Sequence, residues 1–161
     1  MKTGIDFMIN SIKANNPGIS QQILEAFRIC DRKFFVKHDT YLDEAIHVRH
    51  GQTISQPTTI ARMISMLNLK PKLKVLEVGT NTGYHVSLIA YLVYPGNVFT
   101  IEIFPDLAQE AEANIKNLKE HLKNLRLTTK NNSGALRRAD SNLKISGGIN
   151  RINIKVFSGD A

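Results

Sequence analysis

Eight consecutive residues, Glu77-Val-Gly-Thr-Asn-Thr-Gly-Tyr84, carry the densest chemical signal in the chain. They end a short apolar run, Lys74-Val-Leu-Glu-Val-Gly79, and lead into an apolar stretch from Tyr84 to Tyr94. Gly79 and Gly83 therefore sit at a strand-to-helix junction. Glycines there let a ligand approach the backbone closely, and the start of the helix presents free amides to it. A dinucleotide fingerprint would read G-x-G-x-x-G. Asn81 and Tyr84 occupy its second and third glycine positions, so a pyrophosphate fits poorly. Glu102 lies 23 positions beyond Gly79, at the end of a second strand-like run. An acid so placed can accept hydrogen bonds from both hydroxyls of a ribose. A nucleoside without a pyrophosphate suits S-adenosylmethionine. Tight packing explains many glycine turns, and Glu102 taken alone reads equally as an ordinary strand-end carboxylate.

The elements that must position these residues follow from apolar spacing. Ile5, Met8, Ile9 and Ile12 mark one face of a helix that Asn15-Asn-Pro-Gly18 ends. Ser20 is a plausible N-cap for a second helix bearing Ile23, Leu24, Phe27 and Cys30. Pro57 opens a third helix, whose stripe is Ile60, Met63, Ile64 and Leu67. Lys74–Gly79 reads as a buried parallel strand and Val98–Ile103 as a second one. A helix over about 84–94 separates them. From Asp106 to about Leu125, Leu107, Ala111, Ile115, Leu118 and Leu122 mark a long helix. Residues 126–150 read as a basic, loop-rich insertion, with one short helix around Ala135, Leu136, Ala139 and Leu143; Arg151–Phe157 alternates as a third strand. Alternating strands and helices predict an α/β fold: a Rossmann-like doubly wound sheet, here its N-terminal half, with an N-terminal helical extension.

Composition bounds the rest. The 161 residues, 42% hydrophobic and 22% charged, suit one soluble globular core. The longest mostly apolar stretch, Val86–Tyr94, is nine residues, against about 20 for a membrane span. The opening Met-Lys-Thr-Gly-Ile-Asp puts an acid where a signal peptide would be apolar, so a cytoplasmic location is expected. Cys30 is the single cysteine and reads as a small buried apolar group rather than a nucleophile. His47, His50 and His85 lack neighbouring acids at metal-binding spacings, and no metal is expected. The net charge of +7 is local: residues 1–110 carry 11 basic and 10 acidic groups, residues 111–161 carry 10 and 4. That imbalance argues about anion binding and solubility, not fold.

Beyond the glycine turn, His50-Gly-Gln-Thr-Ile-Ser-Gln-Pro57, Lys74-Val-Leu-Glu-Val-Gly-Thr80 and Thr100-Ile-Glu-Ile-Phe-Pro-Asp-Leu107 together resemble the protein-L-isoaspartate O-methyltransferase family. Asp31-Arg-Lys-Phe-Phe-Val36 resembles that family's Pro-Arg-x-x-Phe-Val element, with aspartate for proline. The resemblance implies methyl transfer from S-adenosylmethionine to the free carboxylate of isoaspartyl residues in damaged proteins or peptides, after which the ester collapses to a succinimide. It also implies roles. Thr53 and Ser55 would orient the acceptor carboxylate, and Gly79, Thr80 and Gly83 would line the methionine part of the donor, with Glu77 supporting the turn. Glu102 would hold the ribose and Asp160 the adenine amine. Ser55 could equally cap the Pro57 helix. Residues 1–56 then form the helical, substrate-side segment, and 57–161 a partial donor-binding domain with the insertion at 126–150.

The chain departs from the family pattern in three places. Asn81 stands where the family carries its middle glycine, and asparagine tolerates left-handed backbone better than most residues. The insertion is long. The family also continues beyond Gly159-Asp-Ala161 through the other half of its sheet, so the chain reads as truncated. Lys74–Gly79 is then expected to be an unpaired apolar edge, so the chain alone is expected to be unstable or to pair with another chain that covers it. Two alternatives stand beside the repair enzyme: a relative that binds the donor without transferring, and an RNA methyltransferase suggested by the basic tail. No specific nucleic-acid partner is expected on the first reading.

Overall fold

Each helix forms where the sequence supplies both an apolar face and a start signal. In the computed structural model, which describes residues 3–131 and 152–159, helix α1 spans Gly4–Asn15 and buries Met8, Ile9 and Ile12. Helix α2, Gln21–Ile29, begins at Ser20, whose hydroxyl accepts the Ile23 amide, and buries Ile23, Leu24, Ala26, Phe27 and Ile29. Asp6 ties the two together, accepting from Arg28 at 2.8 Å. A 3-10 turn, Arg32–Phe34, follows. Two short strands, β1 (Ile46–His47) and β2 (Thr53–Ile54), then pair antiparallel, His47 opposite Thr53.

Helix α3, Pro57–Met66, buries Ile60, Ala61 and Ile64. Met63 and Leu67, expected in the same stripe, are instead 39% and 53% exposed. The helix lies at the rim of the molecule, so only its narrower i, i+4 line meets α1 and α2, and Met63 faces a cavity described below. Helix α4, Tyr84–Val93, is buried all round, as its nearly continuous apolar sequence requires.

Strands β3 (Lys74–Val78), β4 (Asn97–Glu102) and β5 (Ile154–Ser158) form a parallel sheet in the order β3-β4-β5. The register sets Glu77 beside Thr100 and Glu102 beside Ser158. Side chains alternate across it. Val98, Thr100 and Glu102 are buried on one face, with Val75, Ile154 and Val156 partly buried against the core. Leu76, Val78, Ile103 and Phe157, all about half exposed or more, mark the other face. The strand at Lys74–Gly79 is thus parallel but not buried on both sides. Among the described residues β3 pairs only with β4, and no helix covers the Leu76 face.

Helix α5 runs from Pro105 to Asn131, six residues past the expected end at Leu125. Residues 126–131, expected to open a loop-rich insertion, are helical because no glycine or proline interrupts the chain between Pro105 and Gly134. The rest of that insertion, including the short helix expected at 135–143, lies outside the described residues. One buried cluster runs continuously from Met8 on α1 through Ile60, Leu88 and Val98 to Leu118 and Ile152.

Candidate active site

Parallel strands leave a crevice beyond their carboxyl ends, where chain reversals carry polar groups. Here a cavity of about 640 Å³ opens at the ends of β3 and β4. That volume falls in the range of small-molecule sites, roughly 300–1,000 Å³. Thr53 and Ser55 line it from the β2 side; Glu77, Gly79, Thr80 and Glu102 line it from the sheet. Six of the residues expected from sequence therefore share one cavity.

Gly79 has φ +91, and a side chain there would meet no protein atom within 4 Å, so open space lies beside it. Asn81 adopts φ +52 and holds the left-handed turn. Its side-chain oxygen accepts the Thr82 amide at 2.8 Å, and its backbone amide donates to Glu102 Oε2 at 2.7 Å. Glu102 Oε1 accepts the Phe104 amide at 3.2 Å. Glu102 is 5% exposed and fixed at the cavity wall, with acceptor capacity to spare on both oxygens. Glu77 accepts from Thr100 Oγ1 at 2.8 Å and meets His85 Nδ1 at 2.9 Å. Thr100 Oγ1 lies 2.7 Å from Thr80 Oγ1, so a chain of hydrogen bonds supports the turn from beneath.

Gly83 does not line the cavity. It has φ +89, and a Cβ there would meet Ile115 and the Ala111 carbonyl 3.2–3.3 Å away. Its lack of a side chain lets α5 approach the start of α4. Asp160 lies outside the described residues; Gly159 before it lines the cavity.

The segment bearing Thr53 and Ser55 is fastened from three directions. His50, at φ +58, stacks on Phe104 with ring centroids 4.1 Å apart, and its Nε2 lies 2.9 Å from Asp106. That hydrogen bond holds the Asp106 carboxyl below its usual range. Arg49 pairs with Glu110 and, at 3.3 Å, with Asp106. Asn81 Nδ2 donates to the Thr53 carbonyl at 3.4 Å. Ser55 makes no capping bond to α3. Asp43 does that work, accepting the Thr58 amide at 2.8 Å, the Thr58 hydroxyl, and Ser11 Oγ at 2.7 Å. Burial alone would raise the Asp43 carboxyl, but these hydrogen bonds outweigh it and hold it low. Both His50 and His85 do have acidic neighbours, contrary to the spacing argument, though as pairs: among the described residues no three metal-ligating side chains converge.

Thr82 Oγ1 and the Tyr84 hydroxyl are buried against the cavity without a hydrogen-bond partner. Orphaned donors, an open glycine turn and a buried carboxylate at the strand end fit a nucleoside ligand with a polar tail. Asn81 takes the left-handed backbone that its residue type allows, as the sequence indicated; the pairing of His50 with Asp106 was not foreseen, although each lies in one of the runs that carry the family resemblance.

The family model of protein-L-isoaspartate(D-aspartate) O-methyltransferase matches residues 5–140. The chain belongs to this family. It is 41% identical over 103 residues to a protein-L-isoaspartate O-methyltransferase of Fervidobacterium nodosum, covering 61% of this chain and 52% of that one. A Vibrio cholerae protein of the same name is 41% identical over 103 residues, covering 62% and 49%. The chain spans about half the length of these curated relatives. Among solved structures, a protein-L-isoaspartate O-methyltransferase at 24% identity superposes with a TM-score of 0.63 over 71% of this chain and 38% of that one. A Plasmodium falciparum member, solved with S-adenosyl-L-homocysteine, gives 0.64 at 24% identity, over 77% and 60%. Both likenesses support the Rossmann-like fold.

Proposed function

We propose that the cavity binds S-adenosylmethionine against Glu77, Gly79, Thr80 and Glu102, and that Thr53 and Ser55 present to it the free carboxylate of an isoaspartyl residue in a damaged protein. The observation that carries this reading is the single cavity: residues suited to a nucleoside and hydroxyls suited to a carboxylate line the same space. Glu102, and Asp160 by family resemblance, would bind the adenosine part. Glu77 would support the turn that receives the methionine part. When bound, S-adenosylmethionine supplies an electrophilic methyl group whose leaving group is a neutral thioether.

The protein then has little covalent chemistry to do. An acceptor carboxylate is already ionised at pH 7, so no base need remove a proton. Thr53 and Ser55 hold one carboxylate oxygen in line, and proximity with orientation supplies the rate. Ile54, Ile60 and Met63 on the same wall exclude water, which strengthens attraction between opposite charges.

The test is transfer of a radiolabelled methyl group to an isoaspartyl peptide, beside a matched aspartyl peptide and an RNA. Label on the isoaspartyl peptide alone is expected; label on RNA, or on both peptides equally, would refute the acceptor assignment. The uncovered sheet face favours a second reading, a donor-binding chain that transfers nothing until another polypeptide covers β3. Calorimetric donor binding with no transfer would select it. A cytoplasmic location belongs to the proposal; among the described residues no helix is long and apolar enough to cross a membrane.

A further inference from the structure

We propose that Arg32 is a positioning residue for the acceptor end of the cavity: it clamps the backbone of residues 40–55 from below and so fixes the segment that carries Thr53 and Ser55. This rests on the reading of Thr53 and Ser55 as the acceptor end. Arg32 is fully buried. Its guanidinium donates to the carbonyls of Thr40 at 3.4 Å, Leu42 at 2.9 Å, Glu44 at 3.1 Å and Ser55 at 3.5 Å. It sits 5.9 Å from the centre of the Tyr84 ring, which itself lines the cavity.

A buried cation ordinarily has a carboxylate partner, because removing it from water is otherwise costly. Among the described residues Arg32 has none, and its Nε atom has no hydrogen-bond partner at all. Asp43, an ionised carboxylate that accepts from Thr58 and Ser11, supplies the countercharge through its field rather than through a direct ion pair. A neutral side chain would fill this space at lower cost. What the arginine adds is geometric. A planar fork can hold several carbonyls at once, which a lysine ammonium cannot match. The chain leaving Ser55 enters α3 through Pro57, so fixing the Ser55 carbonyl from one side and Thr58 through Asp43 from the other sets how the Ser55 hydroxyl faces the cavity.

The test compares Arg32→Lys and Arg32→Met with the wild-type chain. Hydrogen exchange is followed at 40–56 and at 77–84, and Michaelis constants are measured for an isoaspartyl peptide, with calorimetric affinity for S-adenosylhomocysteine. The expected result is exchange at least tenfold faster confined to 40–56, a peptide KM raised at least tenfold, and donor affinity within twofold. The methionine variant, which has neither fork nor charge, should exceed the lysine variant in its effect on KM. Faster exchange spread equally to 77–84, parallel loss of donor and acceptor affinity, or two unfolded variants would overturn the proposal, since Arg32 would then hold the whole fold. Wild-type protein that transfers no methyl group would defeat the proposed function. The exchange comparison would still decide Arg32: acceleration confined to 40–56 supports the clamp, and unchanged exchange refutes it.

Discussion

Replacing Glu102 by alanine removes the acceptor of two backbone amides, Asn81 at 2.7 Å and Phe104 at 3.2 Å, from a site that is 5% exposed. Hydrogen bonds to a charged group contribute about 1.5–3 kcal/mol each, so the folded chain should lose about 3–6 kcal/mol. For a domain of this size each kcal/mol lowers the melting midpoint by about 2–4 °C. The ribose contact adds its own term: donor affinity should fall by about 1–3 kcal/mol, roughly 5- to 150-fold. Glutamine should be milder than alanine but not neutral for stability. Each carboxylate oxygen already faces an amide hydrogen, so whichever way the new side chain turns, its NH₂ meets another donor. One stranded buried amide costs about 1–3 kcal/mol. The assay is calorimetric titration of S-adenosylhomocysteine at a temperature where each variant remains folded by circular dichroism. A folded alanine variant that binds the donor as tightly as wild type would refute the ribose assignment, and a glutamine variant as stable as wild type would refute the account of the turn.

Other perturbations probe the scaffold. Asp43→Asn should destabilise the chain by about 1–3 kcal/mol in thermal melts at pH 7. Because the folded carboxyl is held low, this stabilisation is complete above the ordinary aspartate value of about 3.9 and is lost as pH falls through the folded value. The two proteins should therefore converge in acid, and a difference that stays constant with pH would contradict the carboxylate's role. Replacing exposed Leu76 with lysine should reduce self-association in sedimentation velocity without lowering the melting point; unchanged association would show that the bare face is not what sticks. Cys30 is fully buried, its thiol pushed well up by burial, and should resist an aromatic disulfide reagent until the protein unfolds. Rapid native-state labelling would contradict that packing.

What the sequence made legible, and what it hid, divide along a physical line. Periodic burial is written locally, so Met8, Ile9 and Ile12 on α1 and the buried run of α4 could be read from spacing alone. The strand ends carrying Glu77 and Glu102 were legible because the glycine turn and the β-branched run mark them. Groups whose partners are backbone atoms or distant side chains left no such trace. Arg32 binds carbonyls, which every residue has. His50 meets an acid 56 positions away. The start of α3 is satisfied by Asp43, 15 positions before Thr58, rather than by the adjacent Ser55. Gly83 shows the converse: a glycine in a ligand-like motif whose job is helix packing. The far end of α5 shows the limit of apolar spacing: the stripe ends near Leu125 and a loop-forming Asn-Asn-Ser-Gly cluster begins at Asn131, but the helix continues to Asn131 because nothing between breaks it.

The two sides of the cleft are secured by different physics. Glu77, Thr100, Thr80 and Glu102 hold the strand-end side through contacts largely withdrawn from solvent. The strip bearing Thr53 is fastened to α5 largely through Arg49, Asp106 and Glu110, whose side chains are 54%, 44% and 25% accessible. Dissolved ions compete with such pairs, because the Debye length shrinks from about 10 Å at 0.1 M to about 3 Å at 1 M. Rising ionic strength should therefore slacken one wall of the crevice while the other stays put; on the proposed reading, background electrolyte would weaken peptide capture while leaving nucleoside binding nearly untouched.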